Sequence, residues 1–228
     1  CYKKGLNFKK APFSHKNEVK MVESFLSVNG ENISETVIER SKFITRVKRI
    51  SGEDEAREFI ESVRKKHSDA THNCYAYVAS EDGNLMKFSD DGEPQGTAGM
   101  PMLDVLRNKK IMMTVAVVTR YFGGVKLGAG GLVRAYSGCV AELLNNTEIV
   151  SNELSVEASI EVSYDLYPLF LKYSANKKVK VLSQGFSGNV SITCVLPRVF
   201  EKEFFDGLTD FLLGKIKIEK NKEYFYCY

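Results

Sequence analysis

Three carboxylates fall within four residues at Asp90-Asp91-Gly92-Glu93, and five glycines fall within nine at Gly123, Gly124, Gly128, Gly130 and Gly131. Each pattern has a chemistry. Clustered carboxylates hold a divalent cation, cap the N–H groups of their own loop, or pair with a guanidinium. Glycines this dense impose unusual backbone angles or let another group come too close for a Cβ. Arg120, Tyr121, Lys126, Arg134 and Tyr136 flank the glycines, and His72 and Thr97 lie upstream.

The glycine stretch opens a helix after a buried strand, which places unpaired N–H groups and the positive end of a helix dipole at the surface, a ready anion site. It is not a P-loop, because Lys126 is followed by Leu127. Nor is it a dinucleotide fingerprint, because Val133 holds the place of the third glycine. Two readings stay open: an anion or nucleic-acid-backbone site assisted by Arg120, Lys126 and Arg134, and a tight loop that lets helix and strand pack closely. Gly138, within the helix, fits the second. In the acidic loop, capping and pairing with Arg120 or Arg134 are expected over metal, since the EF-hand spacing is absent.

Nucleophilic chemistry has less support. Cys139 sits on the apolar stripe of its helix and Cys74 alternates with tyrosines in a strand, so both read as small buried hydrophobes. Ser89 and Ser137 have no GxSxG context. His72 stands just before a strand, where a histidine reads as a hydrogen-bonded structural residue.

The elements that must position these groups follow from periodicity. Val115 to Val118 is a continuous apolar run, the mark of a strand buried on both faces. Leu132, Val133, Tyr136, Cys139, Val140, Leu143 and Leu144 recur at helical spacing, and the helix frays at Asn145-Asn146. Upstream, Ile33–Arg40 and Lys42–Ile50 form a hairpin turning near Ser41. A helix capped by Ser51 or Gly52 buries Ala56, Phe59, Ile60 and Val63. Asn73–Ala79 and Leu85–Phe88 are strands, and Thr97 caps a helix over 98–106. Residues 147–154 read as a linker. Beyond it, Ser155–Ser163, Leu166–Ala175 after an Asp165 cap, Lys178–Gln184, Val190–Leu196, Val199–Leu213 and Lys215–Tyr226 give the order β-α-β-β-α-β, the ferredoxin-like arrangement. Phe200, Phe204, Leu208, Phe211 and Leu212 form the apolar stripe of its second helix.

Composition sets the outer limits. The chain has 228 residues, 43% hydrophobic and 27% charged, values of a globular protein. No apolar run approaches the roughly 20 residues of a membrane helix. The five cysteines form no CxxC pair, and no zinc site or cofactor is expected; a reduced cytoplasmic compartment is the simplest reading. Residues 1–20 hold six lysines against Glu18 alone, a charge of +5, so the +3 of the whole chain leaves 21–228 at −2. Met21 reads as a natural start, and 1–20 as a disordered leader or tail outside the fold. Residues 152–228 carry ten Lys/Arg and ten Asp/Glu, so bulk charge does not call for a polyanion.

Phe88-Ser-Asp-Asp-Gly-Glu-Pro-Gln-Gly-Thr-Ala-Gly-Met-Pro-Met102, together with Val118-Thr-Arg-Tyr-Phe-Gly-Gly-Val-Lys-Leu-Gly-Ala-Gly-Gly-Leu-Val-Arg-Ala-Tyr-Ser-Gly138, resembles the signature of the IMPACT/YigZ family. The resemblance runs from near Met21 to the C-terminus and includes the strand at His72-Asn-Cys-Tyr-Ala-Tyr77. It implies an α+β protein of two domains. Residues 21–150 would be an IMPACT-like α/β sandwich similar to the second domain of a small-subunit ribosomal protein. Residues 151–228 would be ferredoxin-like, similar to the last domain of elongation factor G. The eukaryotic members are linked to translational control through a ribosome-associated activator of the general-control kinase.

Carried onto this chain, the resemblance and the residue pattern imply a binding surface made of His72, Asp90, Asp91, Glu93, Thr97, Arg120, Tyr121, Gly123, Gly124, Lys126, Gly128, Gly130, Gly131, Arg134 and Tyr136. The expected partner is the ribosome, RNA or a translation-associated protein, with no membrane and no DNA sequence specificity. Arg120→Ala and Arg134→Ala are expected to abolish that association with little loss of stability. The rival is an enzyme acting on a phosphorylated or anionic small molecule, the glycines cradling its phosphate and His72 or an aspartate serving as base.

Overall fold

A computed structural model describes residues 22–228; the leader or tail at 1–20 and Met21 lie outside the described residues. In chain order the elements are β1 (Ser24–Val28), β2 (Glu31–Ile38), β3 (Ser41–Arg49), α1 (Glu53–Lys66), β4 (His72–Val78), β5 (Met86–Ser89), α2 (Gly99–Asn108), β6 (Thr114–Tyr121), α3 (Gly128–Asn145), β7 (Ile149–Val162), α4 (Tyr167–Ser174), β8 (Lys180–Phe186), β9 (Val190–Pro197), α5 (Glu201–Phe211) and β10 (Lys217–Cys227). The class is α+β. Two five-stranded antiparallel sheets are built, one in the order β2-β3-β6-β4-β5, the other β1-β7-β9-β8 with β10 also on β7.

The centre of the first sheet is β6, and its alternation decides which helices meet which residues. Ala116 and Val118 point into a core shared with α2 and α3, while Val115 and Val117 point into a second core under α1. Successive side chains of a strand face opposite ways, so an apolar run buried on both faces needs a helix layer on each. On α1 the buried residues are Ala56, Phe59, Ile60 and Val63, the stripe read from the sequence. On α3 the stripe is Leu132, Ala135, Tyr136, Cys139, Val140, Leu143 and Leu144; Val133 is instead 36% exposed.

Several expectations are corrected. Residues 147–154 are not a linker, because β7 is continuous from Ile149 and its first residues pair with β1, a strand that short-range patterning did not pick out. The β2–β3 hairpin turns near Ser41 as expected, its two turn residues being Glu39 and Arg40, both with positive φ. Phe200 and Phe211 are exposed, and the apolar face of α5 is Phe204, Phe205 and Leu208. No side-chain cap is formed by Asp165, since Leu166 holds the cap position of α4. Gly138 is not a close-packing glycine: a Cβ there would meet nothing within 4 Å. Gly138→Ala is therefore expected to raise stability by about 0.5–1 kcal/mol, the helix-propensity difference, readable as a higher denaturant midpoint with unchanged slope.

Candidate functional site

The acidic loop after β5 and the start of α3 come together at the end of β6. Asp90 engages backbone donors of its own side of the molecule. Its Oδ1 accepts from the N–H groups of Ala98 (3.0 Å) and Gly99 (2.9 Å), and its Oδ2 from Gly96 (2.8 Å). The Ala98 and Gly99 groups are bare donors at the start of α2, so Asp90 does the capping expected of Thr97. The Thr97 hydroxyl donates back to the Pro94 carbonyl instead, at 2.6 Å. Asp91 accepts from the Asn73 amide (2.6 Å) and from Arg64 of α1 (2.9 Å). Its own carbonyl receives His72 Nδ1–H at 2.8 Å.

Glu93 is buried, and its Oε1 accepts from Arg120 Nη1 (2.7 Å) and the Tyr136 hydroxyl (2.8 Å). His72 Nε2 lies 3.8 Å from its Oε2. Arg120 also donates to Ser41 Oγ at 3.3 Å and lies over the rings of Phe43 and Phe122 at 5.5 and 5.6 Å. Its side chain is only 6% exposed. Burial and the neighbouring Cys74 and Glu93 push the Tyr136 hydroxyl well above its ordinary pKa, so it stays a donor. Arg120 is thus an internal counter-ion, not a free anion ligand, and the expectation that Arg120→Ala leaves stability nearly intact is corrected.

Tyr121 belongs elsewhere. It follows Arg120 on β6 and so faces α1. Arg46 Nη2 sits 2.8 Å from His67 Nε2, and His67 Nδ1 sits 2.9 Å from the Tyr121 hydroxyl, which reaches Asp69 at 3.1 Å. A guanidinium only donates, so His67 Nε2 accepts and its proton is on Nδ1. Burial first, then Arg46, hold the His67 pKa below its ordinary value, although Asp69 opposes them. A histidine depressed in the fold adds stability that is full above its unfolded pKa of about 6.5 and is lost as pH falls through that value toward the folded one. Melting temperature should therefore drop on acidification below about pH 6.5, and the drop should be shallower in His67→Gln, which keeps an acceptor for Arg46 without a titrating ring. Equal slopes in the two proteins would refute this assignment.

The glycines divide by cause. Gly123 is required by close approach: a Cβ there would stand 1.9 Å from the Arg40 carbonyl oxygen. Its N–H donates to Ser41 Oγ at 3.2 Å. Gly124 and Gly128 have φ of 86° and 68°, the left-handed region that favours glycine. A Cβ on Gly131 would lie 3.0 Å from Leu127 Cβ. Gly130 is exposed, has no positive φ, and a Cβ on it would meet nothing within 4 Å. Gly128, Gly130 and Gly131 are the first turn of α3, not loop. That turn has no acidic residue and no side-chain cap. Lys126 and Arg134 are exposed beside it, with no ion-pair partner among the described residues. Between the two loops lies a cleft of about 230 Å³, lined by Glu93, Pro94, Arg120, Phe122, Lys126 and the start of α3. Phe122 is 47% exposed at its mouth.

Ser41, Phe43, Phe122, Asn73 and Arg64 were not singled out from the sequence, yet each holds a residue that was. Alternation placed the hairpin near Ser41, and Gly123 is the residue whose close approach ties that hairpin to the site. Cys74 and Cys139 are buried. The Cys74 thiol donates to the Asp90 carbonyl, and burial raises its pKa far out of the reactive range. The Cys139 thiol is pushed up to about 11, again by burial. Among the described residues no group of three or more His, Cys, Asp or Glu is placed to hold a metal ion, and no helix is long and apolar enough to cross a membrane.

Residues 39–144 match the model of the Impact N-terminal domain. The chain is similar to the IMPACT family member YvyE of Bacillus subtilis, 39% identical over 202 residues, which is 89% of this chain and 93% of that one. It is similar to the IMPACT family member YigZ of Escherichia coli, 36% identical over 183 residues, covering 79% and 90%. A solved structure described as that of a hypothetical protein shares 34% identity with a TM-score of 0.59, covering 89% of this chain and 99% of its own.

Proposed function

We propose, from the premise that this chain belongs to the IMPACT family, that it is a cytoplasmic binding protein linked to translational control. Its contact surface is the exposed start of α3 with the loop from Phe122 to Leu127, and its partner is the ribosome, RNA or a ribosome-associated protein. Residues 21–150 act as the IMPACT-like α/β unit and 151–228 as a ferredoxin-like one, with β1 lent to the second sheet.

One observation carries the reading. The charged groups at the end of β6 are taken up inside the protein: Glu93 by Arg120 and Tyr136, Asp90 by backbone N–H groups before α2, and Asp91 by Asn73 and Arg64, with Arg120 Nε alone of these left without a hydrogen-bond partner among the described residues. What faces outward is a helix start without cap or acid, two unpaired cations at Lys126 and Arg134, and the Phe122 ring. Helix dipole and cations together favour an anionic group such as a backbone phosphate or a carboxylate. Both nearby thiols are buried, and Asp90, Asp91 and Glu93 are engaged with the protein's own donors, which disfavours the small-molecule enzyme, although the Asp91 carbonyl on His72 Nδ1–H leaves Nε2 as an acceptor.

The test is the double variant Lys126→Ala/Arg134→Ala. Co-sedimentation with ribosomes should weaken about tenfold, with stronger salt dependence in the parent protein. The melting temperature should be unchanged, because both side chains are exposed. Undiminished co-sedimentation would overturn the reading.

A further inference from the structure

The two ends of the first sheet differ. At one end β5 is only four residues long. At the other, β2 runs for eight residues in unbroken register with β3, and its outer edge is unpaired among the described residues. A long free edge is a template for another strand, and proteins blunt such edges with lysines, prolines, bulges or shortness. In the second sheet β8 and β10 both carry a register break; β8 begins at Lys180, and Lys217, Lys220 and Lys222 lie along β10. Between Glu31 and Ile38 there is no lysine, proline or break.

The face of β2 turned away from α3 is patterned. Glu31, Ile33, Glu35, Val37 and, at the turn, Glu39 are all exposed, acid alternating with β-branched apolar residue. Ile33 is 58% and Val37 65% exposed. Glu35 shares Lys42 of the neighbouring strand at 2.8 Å; Glu31 and Glu39 have no ion-pair partner among the described residues. This pattern discriminates between occupants. If a second copy paired antiparallel so that Ile33 met Val37, then Glu35 would face Glu35 and Glu31 would face Glu39, which like-charge repulsion disfavours. A strand alternating cations with apolar residues meets every position favourably.

We propose that the free edge of β2 takes an extended basic segment of another protein as an added strand. Its lysines or arginines lie opposite Glu31, Glu35 and Glu39, and its apolar residues opposite Ile33 and Val37. Backbone hydrogen bonds to the open edge supply affinity, and the alternating side chains supply selectivity. The Glu39 end of this surface adjoins the turn on which Gly123 packs, but the added strand would pair only with the open edge of β2.

The experiment uses the full chain and a fluorescently labelled peptide, Lys-Ser-Val-Thr-Lys-Ser-Val-Thr-Lys, with a control in which every lysine is glutamate. Anisotropy should report saturable binding of the lysine peptide and none of the control. Val37→Lys and Glu35→Lys should each weaken binding about tenfold or more, equivalent to about 1.4 kcal/mol, at unchanged melting temperature. Amide shifts in an NMR titration should centre on Glu31–Ile38. Equal affinity for the variants, shifts centred elsewhere, or no binding would overturn the proposal. So would a concentration-dependent dimer abolished by Val37→Lys, which would assign the edge to a second copy.

Discussion

Arg120→Ala is expected to lower the unfolding free energy by about 3–5 kcal/mol, because it strands a buried carboxylate rather than merely deleting a contact. Glu93 would keep the Tyr136 hydroxyl but lose Arg120, its only charged partner within 3 Å among the described residues, and its side chain is 3% exposed. For a chain of this length each kcal/mol moves the melting temperature by about 2–4 °C, so the change is easily read by thermal denaturation. The informative companion is Arg120→Met/Glu93→Gln. Neutralising both partners removes the uncompensated charge, so the double variant should recover much of the loss, with a coupling energy of about 1–3 kcal/mol in a double-mutant cycle. Additive losses would mean that Arg120 and Glu93 do not act as a pair. Since Arg120 is a structural counter-ion, any loss of the proposed association in Arg120→Ala would report unfolding of the site and not a lost contact, so the test of contact rests on the exposed Lys126 and Arg134.

Gly123→Ala is expected to cost about 3–4 kcal/mol, near the top of the range for point substitutions. The added methyl would stand 1.9 Å from the Arg40 carbonyl, where real Cβ atoms do not come within 3.0 Å, so loop or hairpin must retreat by about 1 Å. That retreat breaks the Gly123 N–H bond to Ser41 Oγ and pulls Ser41 from Arg120. Gly130→Ala is the control: it lies seven residues on, meets nothing, and should hold or raise stability. Melting curves of the two variants side by side check the argument, and a Gly123→Ala protein as stable as its parent would contradict the close approach.

The contrast between these glycines shows how far local reading reaches. In the sequence they form one dense motif, to which each reading applies as a whole. In the fold, Gly123 answers to a hairpin turn, Gly124 and Gly128 to their own φ, and Gly131 to Leu127. Gly130 answers to none of these, which is why it belongs with the exposed surface.

What the residues alone determined were features whose cause lies within a few positions. The apolar stripe of α1, the two-sided run of β6 and the helix after the glycines were all legible, because period and composition act over one or two turns. So was the α+β class. Which polar group meets which was decided only by the tertiary structure. Arg120 finds Glu93 27 residues away and Ser41 79 away, and Tyr136 finds Glu93 across 43. The strand at Ile149–Glu153 exists because β1 comes beside it from the other end of the chain. A carboxylate, a guanidinium and a phenol carry the same charges and donors whether they serve a ligand or each other. The choice is made by burial, which makes an unpaired charge costly and so joins Arg120 to Glu93 inside the protein. Lys126 and Arg134 lie outside that burial, exposed and without an ion-pair partner among the described residues.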